Sequence, residues 1–334
     1  MKLTDISSRL GLSVSTVSRA LRNAEGVDTQ TRTRVLAEAA RAGYRGPGRQ
    51  RLMKTGKPRT MLALSRNDSG AVSYEAMAGM SQAAIELNVS ILTHQTPHDC
   101  PESILNPKFQ PPAMRAGQLD GIVLLNEWPE PVVSELQLIY PVVSMLYDYP
   151  GCDVVGIDEA KGMRTLVSRL SGAGLPGYFG CRGGSGIHKR LRAAFRTAQA
   201  GGAPVIEVQH DPLATNASID NGVAELRRHI RQGVRSWVCP DSASADLLTA
   251  SAKSPGSRTL DELVVGVFYS GNRQSAHATQ WTSLEIPSEE LGIAAVRRLL
   301  HRIEHPTESI RRIFLSVDIV SSNQLSHSPI SIPN

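Results

Sequence analysis

The chain has 334 residues, 41% of them hydrophobic, which is enough for packed cores and too long for a single ordinary one. Its formal charge of +5 is unevenly placed: residues 1–60 hold 13 Lys and Arg against 4 Asp and Glu, leaving 23 against 27 for the rest. A basic head on a mildly acidic body points to a polyanion partner for the head alone; no apolar run approaches a membrane span of roughly 18 residues and no signal-peptide core follows Met1, so a cytoplasmic location is expected.

Leu3 to Leu10 reads as a helix, with Thr4 as its expected cap, Ile6 and Leu10 on one face, and Gly11 as its stop. Leu12 fills a turn and Ser13 is placed to cap a second helix, Val14 to Arg22. There Val17 and Leu21 face inward and Ser15, Thr16, Ser18, Arg19 and Arg22 stay polar. Asp28 or Thr29 caps a third helix through Ala42, with Val35, Leu36 and Ala39 inward and Gly43 ending it. Two short helices around a glycine turn form a helix-turn-helix. Its second helix would enter a major groove N-terminus first, with small hydroxyls near phosphates and Arg19 long enough to fork onto a guanine edge. From periodicity alone, a generic three-helix bundle with solvated charges stays open. The Gly- and Pro-containing stretch from Gly48 to Arg59 reads by itself as a flexible basic linker.

From Thr60 onward short apolar runs alternate with helical patterns. Strands are expected around Met61–Leu64, Val89–Leu92, Gly121–Leu125, Val142–Met145, Val154–Ile157, Val205–Val208, Trp237–Cys239 and Leu263–Phe268. The helices between them include Tyr74–Leu87, Glu159–Leu170, Ile187–Ala198, Ala217–Arg231, Ala243–Ala252 and Glu289–Ile303. This alternation argues for parallel sheets with helices on both faces, where ligands are taken by loops beyond the carboxyl ends of strands. Gly180-Cys-Arg-Gly-Gly-Ser-Gly186 lies between a strand-like segment and a helix, where it could cradle a phosphate, but it lacks the Gly-Lys-Ser/Thr ending of a P-loop. The chain has no G-x-S-x-G or H-E-x-x-H motif, and its histidines show no ligand spacing, so no catalysis, metal or cofactor is expected. Cys100, Cys152, Cys181 and Cys239 are scattered and read as buried thiols.

The segment Gly11-Leu-Ser-Val-Ser-Thr-Val-Ser-Arg-Ala-Leu21, followed by Val27-Asp28, Thr31-Arg32, Arg34-Val35, Ala39-Ala40 and Gly43-Tyr44, closely resembles the lactose-repressor family of transcriptional regulators. The resemblance implies that Val14 and Ser15 read bases beside Arg19, with Thr4, Ser13, Thr16, Ser18, Arg22, Asn23 and Tyr44 completing the DNA-binding set. It also implies a hinge helix in which an apolar side chain wedges into the minor groove. Here Gly46-Pro47 and Gln50-Arg51 depart from the family wording, and Met53 stands at the wedge, with Leu52 as rival and Arg51 beside them.

Anchors at Leu119-Asp-Gly-Ile-Val123, Pro141-Val-Val143, Val155-Gly-Ile-Asp158, Val265-Gly-Val-Phe268 and Gly292-x-x-Ala295-Val296 extend the resemblance thinly over the body. The expected fold is an all-α helix-turn-helix head (1–46) joined by a hinge (47–59) to an α/β body resembling a periplasmic binding protein (60–330). That body would hold two doubly wound subdomains, about 60–156 with 285–311 and about 157–284 with 312–330, clamping a small molecule. Candidate effector contacts are Asn67 with Asp68, Ser73, Asn126 with Glu127, Tyr147, Arg190, Asp241 and Tyr269. Tyr269 and Pro240-Asp241 replace acceptors usual in the family, which counts against an ordinary sugar and leaves a modified sugar, a non-sugar metabolite or an orphan pocket open. The expected function is an effector-controlled repressor that binds a palindromic operator as a homodimer. A ligand-independent regulator, an activator and a free-standing binding module are its rivals.

Overall fold

The computed structural model describes residues 3–21, 26–41, 58–66, 74–183, 186–199, 204–210, 216–252, 263–268 and 281–320. Three helices, α1 (Leu3–Leu10), α2 (Val14–Leu21) and α3 (Thr29–Arg41), make the head. Helix α1 stops because Gly11 takes the left-handed conformation, φ 66°, which lets the Leu12 amide return to the Ser7 carbonyl at 3.0 Å. Asp28 caps α3, its carboxylate accepting the Thr31 amide at 2.8 Å, and the bonds from Thr31 hold that carboxyl below its ordinary pKa. Ile6, Val17, Ala20, Val35 and Ala39 form the buried centre, with Leu3, Leu10, Leu12, Leu21 and Val27 packed around it. An ion pair of 3.1 Å between half-exposed Arg9 and buried Glu38 ties α1 to α3.

One expectation for this region is corrected. Thr4 does not cap α1, because the helix already includes Leu3 and Thr4 lies in its first turn, its carbonyl accepting both Ser7 Oγ and Ser8 Oγ at 2.9 Å.

The chain divides into two compact units, Met1–Gly156 with Ser288–Ile313 and Ile157–Pro287 with Phe314–Asn334. In the first unit β1 (Arg59–Arg66), β2 (Val89–Thr96), β3 (Gly121–Leu124), β4 (Val142–Met145), β5 (Asp153–Ile157) and β11 (Arg312–Leu315) form a sheet of order β11-β5-β4-β3-β1-β2. Strands β3, β4 and β5 are buried along their whole length, as parallel strands covered on both faces must be. One face packs Leu62, Leu64, Ile122 and Leu124 against Trp128, Val132 and Leu136, the last two from α5 (Glu130–Ile139). The unit also holds α4 (Tyr74–Glu86) and α10 (Ser288–Glu304), which cross at contact distance through Gly79 and Gly292. A Cβ on Gly79 would stand 2.0 Å from the Glu289 carbonyl oxygen, and one on Gly292 would stand 2.1 Å from that of Ala76.

In the second unit β6 (Gly177–Cys181), β7 (Glu207–His210), β8 (Ser236–Cys239), β9 (Val264–Val267), β10 (Trp281–Glu285) and β12 (Asp318–Val320) have the order β12-β10-β9-β8-β6-β7. Only β12 runs antiparallel, against β10. Helices α6 (Glu159–Leu170), α7 (Gly186–Ala198), α8 (Asn216–Arg231) and α9 (Ser242–Ala252) belong to this unit. Its core joins Phe179, Val208, Leu226, Trp237, Leu248, Val267 and Trp281. Head and body therefore have the architecture expected from the sequence. No helix among the described residues is long and apolar enough to cross a membrane.

A charged hub lies at the amino end of β5. The Asp153 carboxylate, 1% exposed, accepts Arg302 Nε at 2.5 Å, Arg302 Nη2 at 3.1 Å and the Arg311 amide at 2.7 Å. Arg298, 4% exposed, brings Nη2 to 2.9 Å from the same carboxylate, but out of line for a hydrogen bond. Burial pushes the Asp153 carboxyl up; the bonds from Arg302 and the Arg311 amide, with the nearby charge of Arg298, outweigh it and hold the pKa below the ordinary carboxylate value.

Candidate functional site

Two groups of side chains stand out, one on the head and one at the carboxyl ends of the strands. On α2, Val17 and Ala20 are spent on the core, so the opposite face is free to carry chemistry. Ser13 caps the helix: its Oγ accepts the Thr16 amide at 3.0 Å and lies 2.8 Å from both Ser15 Oγ and Thr16 Oγ1. This cluster of hydroxyls fixes the first turn. Beside it Val14 is 44% exposed, an apolar side chain left largely in solvent and outside the buried centre of the head. Arg19 is exposed one turn later, with Nη1 3.9 Å from where a Cβ on Gly26 would lie, while Ser18 is half-buried. The exposed first turn of α2 thus offers an apolar surface, hydroxyls, helix amides and a guanidinium within two turns. Such a surface suits base edges and phosphates. Arg22, Asn23, Tyr44, Arg51, Leu52 and Met53 lie outside the described residues, as does the whole expected hinge wedge.

In the first unit, the carboxyl ends of β1 and β3 are laced together by their own side chains. Asn126, buried, accepts the Arg66 amide at 2.8 Å. Arg66 in turn donates to the Glu127 carbonyl at 2.5 Å and the His98 carbonyl at 3.2 Å. After β4, Leu146 takes a positive φ of 67°, rare for a branched side chain, immediately before Tyr147. Tyr147 itself is half-buried against the core cluster that holds Trp128 and Tyr149.

In the second unit, Asp241 follows β8 and caps α9, its carboxylate accepting the Ser244 amide at 2.7 Å and lying 3.1 Å from His188 Nε2. Burial pushes that carboxyl up, but the His188 and Ser244 bonds bring it below its ordinary value, so it is an anion at neutral pH. Arg190, on α7, clasps Glu159 at the start of α6 with two bonds of 2.9 and 2.7 Å. Ser244 Oγ also lies 3.3 Å from His210 Nε2 at the end of β7. Asn67, Asp68, Ser73 and Tyr269 fall outside the described residues. The structure thus brings Arg190 and Asp241 to one unit and Asn126 and Tyr147 to the other. His188 and Arg66 were not singled out from the sequence. His188 sits two residues before Arg190 in the same helical turn, a signal that spacing to a carboxylate fifty residues away cannot reveal.

The Ser244–His210 contact is buried, with Ser244 1% and His210 6% exposed, so it presents no hydroxyl to a substrate. Burial pushes the Cys152 thiol up to about 12 and raises that of Cys239 well above its usual value, so both are inert at neutral pH. Among the described residues no group of three or more His, Cys, Asp or Glu is arranged to hold a metal ion. The Gly180–Gly186 loop leads from β6 into α7, with Gly183 at φ 69°, and residues 184–185 lie outside the described set.

Comparison with known proteins bears on both groups. Residues 2–46 match the family model described as bacterial regulatory proteins, lacI family. The HTH-type transcriptional regulator RafR of Escherichia coli is 53% identical over 57 residues, 17% of either chain. The HTH-type transcriptional regulator Rv3575c of Mycobacterium tuberculosis is 29% identical over 187 residues, 52% of this chain and 49% of that one. The chain therefore spans half or less of the length of the curated relatives it matches. Among solved structures, the lac repressor dimer bound to operator and the anti-inducer ONPF aligns with a TM-score of 0.61 at 16% identity, covering 96% of this chain and 98% of that one. A complex of the transcriptional regulator CelR with cellobiose aligns at 0.58 and 20% identity over the same shares. At these identities the structural likeness establishes the fold.

Proposed function

From the match of residues 2–46 to the lacI family of bacterial regulatory proteins, we propose that this chain is a sequence-specific transcriptional regulator acting as a repressor. Two copies engage successive major-groove half-sites of a palindromic operator, since a two-fold dimer matches a two-fold site. The observation that carries the reading is the first turn of α2, where the Ser13 cap orders an exposed Val14 and Ser15 beside an exposed Arg19. Val14 and Ser15 read bases, Arg19 reads or clamps beside them, and Thr4, Thr16 and Ser18 add contacts. Arg51 and Met53 or Leu52 act in the hinge. The protein works in the cytoplasm, without catalysis or cofactor, and a small molecule of the sugar type sets its operator affinity. Support for the effector comes from polar groups gathered at the carboxyl ends of parallel strands, and from the structure of the same fold in which the regulator CelR is in complex with cellobiose.

Selection of genomic fragments by the purified chain at near-physiological salt tests this reading, because non-specific phosphate binding is weakened there. Enrichment of one palindromic motif is the expected result; uniform recovery of fragments would sink it. Arg19→Ala should reduce discrimination between the selected motif and random DNA by about 1–3 kcal/mol. Arg51→Ala should weaken both more evenly and flatten the salt dependence. Sequence preference that survives Arg19→Ala would show that another side chain does the reading.

A further inference from the structure

We infer that His188 is the side chain of the second unit that receives a hydroxyl group of the small-molecule effector. The inference rests on the effector reading above and deepens it. Of the polar groups at this end of the second sheet, two are already committed. Arg190 spends its fork on Glu159, with both bonds under 3 Å. Asp241 is taken by the Ser244 amide and by His188 Nε2.

His188 is different because, among the described residues, only one of its nitrogens has a partner. Asp241 is ionised and can only accept, so the hydrogen in the 3.1 Å contact belongs to Nε2. In the neutral ring Nδ1 is then a lone-pair acceptor. Nδ1 is buried and makes no hydrogen bond to any described residue. A buried acceptor without a donor is costly, and native structures keep few of them outside sites where a ligand or water supplies the missing hydrogen. The ring as a whole is not sealed, since the side chain is 27% exposed at the first turn of α7.

The surroundings choose among donors. Arg182, Lys189, Arg190 and Arg192 crowd the start of α7, whereas the nearby carboxylates of Glu159 and Asp241 are already paired. A ligand ammonium group would add a cation to this set. A neutral hydroxyl meets the need of Nδ1 with no such repulsion. The device is two-sided: Asp241 fixes the tautomer through Nε2, and the fixed tautomer presents Nδ1 to the ligand, so Asp241 is a positioning residue and His188 the contact.

Two substitutions separate these sides. His188→Gln keeps a donor at the position of Nε2 and removes the acceptor at Nδ1; His188→Asn keeps an acceptor near Nδ1 and loses the reach to Asp241. The experiment is calorimetric titration of the full-length wild type and both variants with cellobiose and with glucose, alongside thermal unfolding and nitrogen NMR of the histidine rings. The expected outcome is a bare, unprotonated Nδ1 whose resonance moves on adding the sugar. Affinity should fall about tenfold in His188→Gln with little change in unfolding temperature. His188→Asn should show the reverse, a lower unfolding temperature with affinity better kept. Wild-type affinity in His188→Gln, or a proton on Nδ1 in the free protein, would overturn the inference and leave the regulator reading intact. Absence of binding of either sugar by the wild type would overturn the effector reading, and the inference with it.

Discussion

Gly292→Ala is expected to unfold at a markedly lower urea concentration than the wild type, with a loss of about 3 kcal/mol, the upper end of overpacking penalties. Helix propensity alone argues the other way, since Ala is favoured over Gly in a helix interior by about 1 kcal/mol. Sterics decide the sign. The new Cβ would stand 2.1 Å from the Ala76 carbonyl oxygen and 2.9 Å from the Met80 nitrogen. Both are backbone atoms of α4, so no rotamer change relieves the overlap, and only a shift of one helix can. Gly79→Ala makes the reciprocal clash, 2.0 Å from the Glu289 carbonyl oxygen, and should cost a similar amount. Gly172→Ala is the matched control, because nothing lies within 4 Å of its Cβ position, and it should change stability by less than about 0.5 kcal/mol. An unchanged urea midpoint for Gly292→Ala would mean that α4 and α10 do not meet backbone to backbone.

Asp153→Asn should be comparably severe, by about 3–5 kcal/mol, because it strands two guanidiniums that, among the described residues, this carboxylate neutralises at the hub. Arg298 is 4% exposed and Arg302 13%, so water cannot replace the lost charge. Arg298→Met should be far milder, since Arg302 and the Arg311 amide still hold Asp153 and the lost guanidinium was poorly aligned. Replacing one buried ion by a well-packed apolar chain is often neutral or better. The hub also sets an acid limit. With its folded pKa below the ordinary carboxylate value, Asp153 contributes fully above that ordinary range. The contribution is lost as pH falls towards the lowered folded value. Urea midpoints measured from neutral to acid pH should therefore drop more for the wild type than for Asp153→Asn; parallel curves would remove Asp153 as the source.

The head and most of the body were legible in the sequence because their signals are local. The cap at Ser13, the stop at Gly11 and the Val17 face all act within one turn or the next, and each is found in the structure. Helices α6 and α9 likewise begin at an Asp or Ser and run on an apolar period. The strands β10 to β12 left weaker marks: β11 alternates exposed and half-buried residues, and β12 has three residues. Helix α5 was hidden by Pro131 near its start and by the run Val132-Val133, which reads equally well as a strand. Thr4 was misjudged because a Thr just ahead of the first inward residue, here Ile6, has the composition of a cap, and only backbone geometry tells the cap from the first turn. The hub of Asp153, Arg298 and Arg302 had no sequence signal at all, since its members are brought together only by the late return of the chain to the first sheet. The same holds for His188 and Asp241, where sequence offered the loop but not the orphaned nitrogen.

That late return bears on how the protein is made. The first unit needs α10 and the beginning of β11, which are synthesised only after the 131 residues from Ile157 to Pro287. At roughly 5–20 residues per second, the ribosome spends on the order of ten seconds on that stretch. Throughout it the Gly79 face of α4 lacks its covering helix, β5 lacks its neighbour β11, and Asp153 waits without Arg298 or Arg302. The head has no such delay: its three helices come from consecutive residues, and it can fold once Arg41 has emerged, long before the unit to which it is attached is complete.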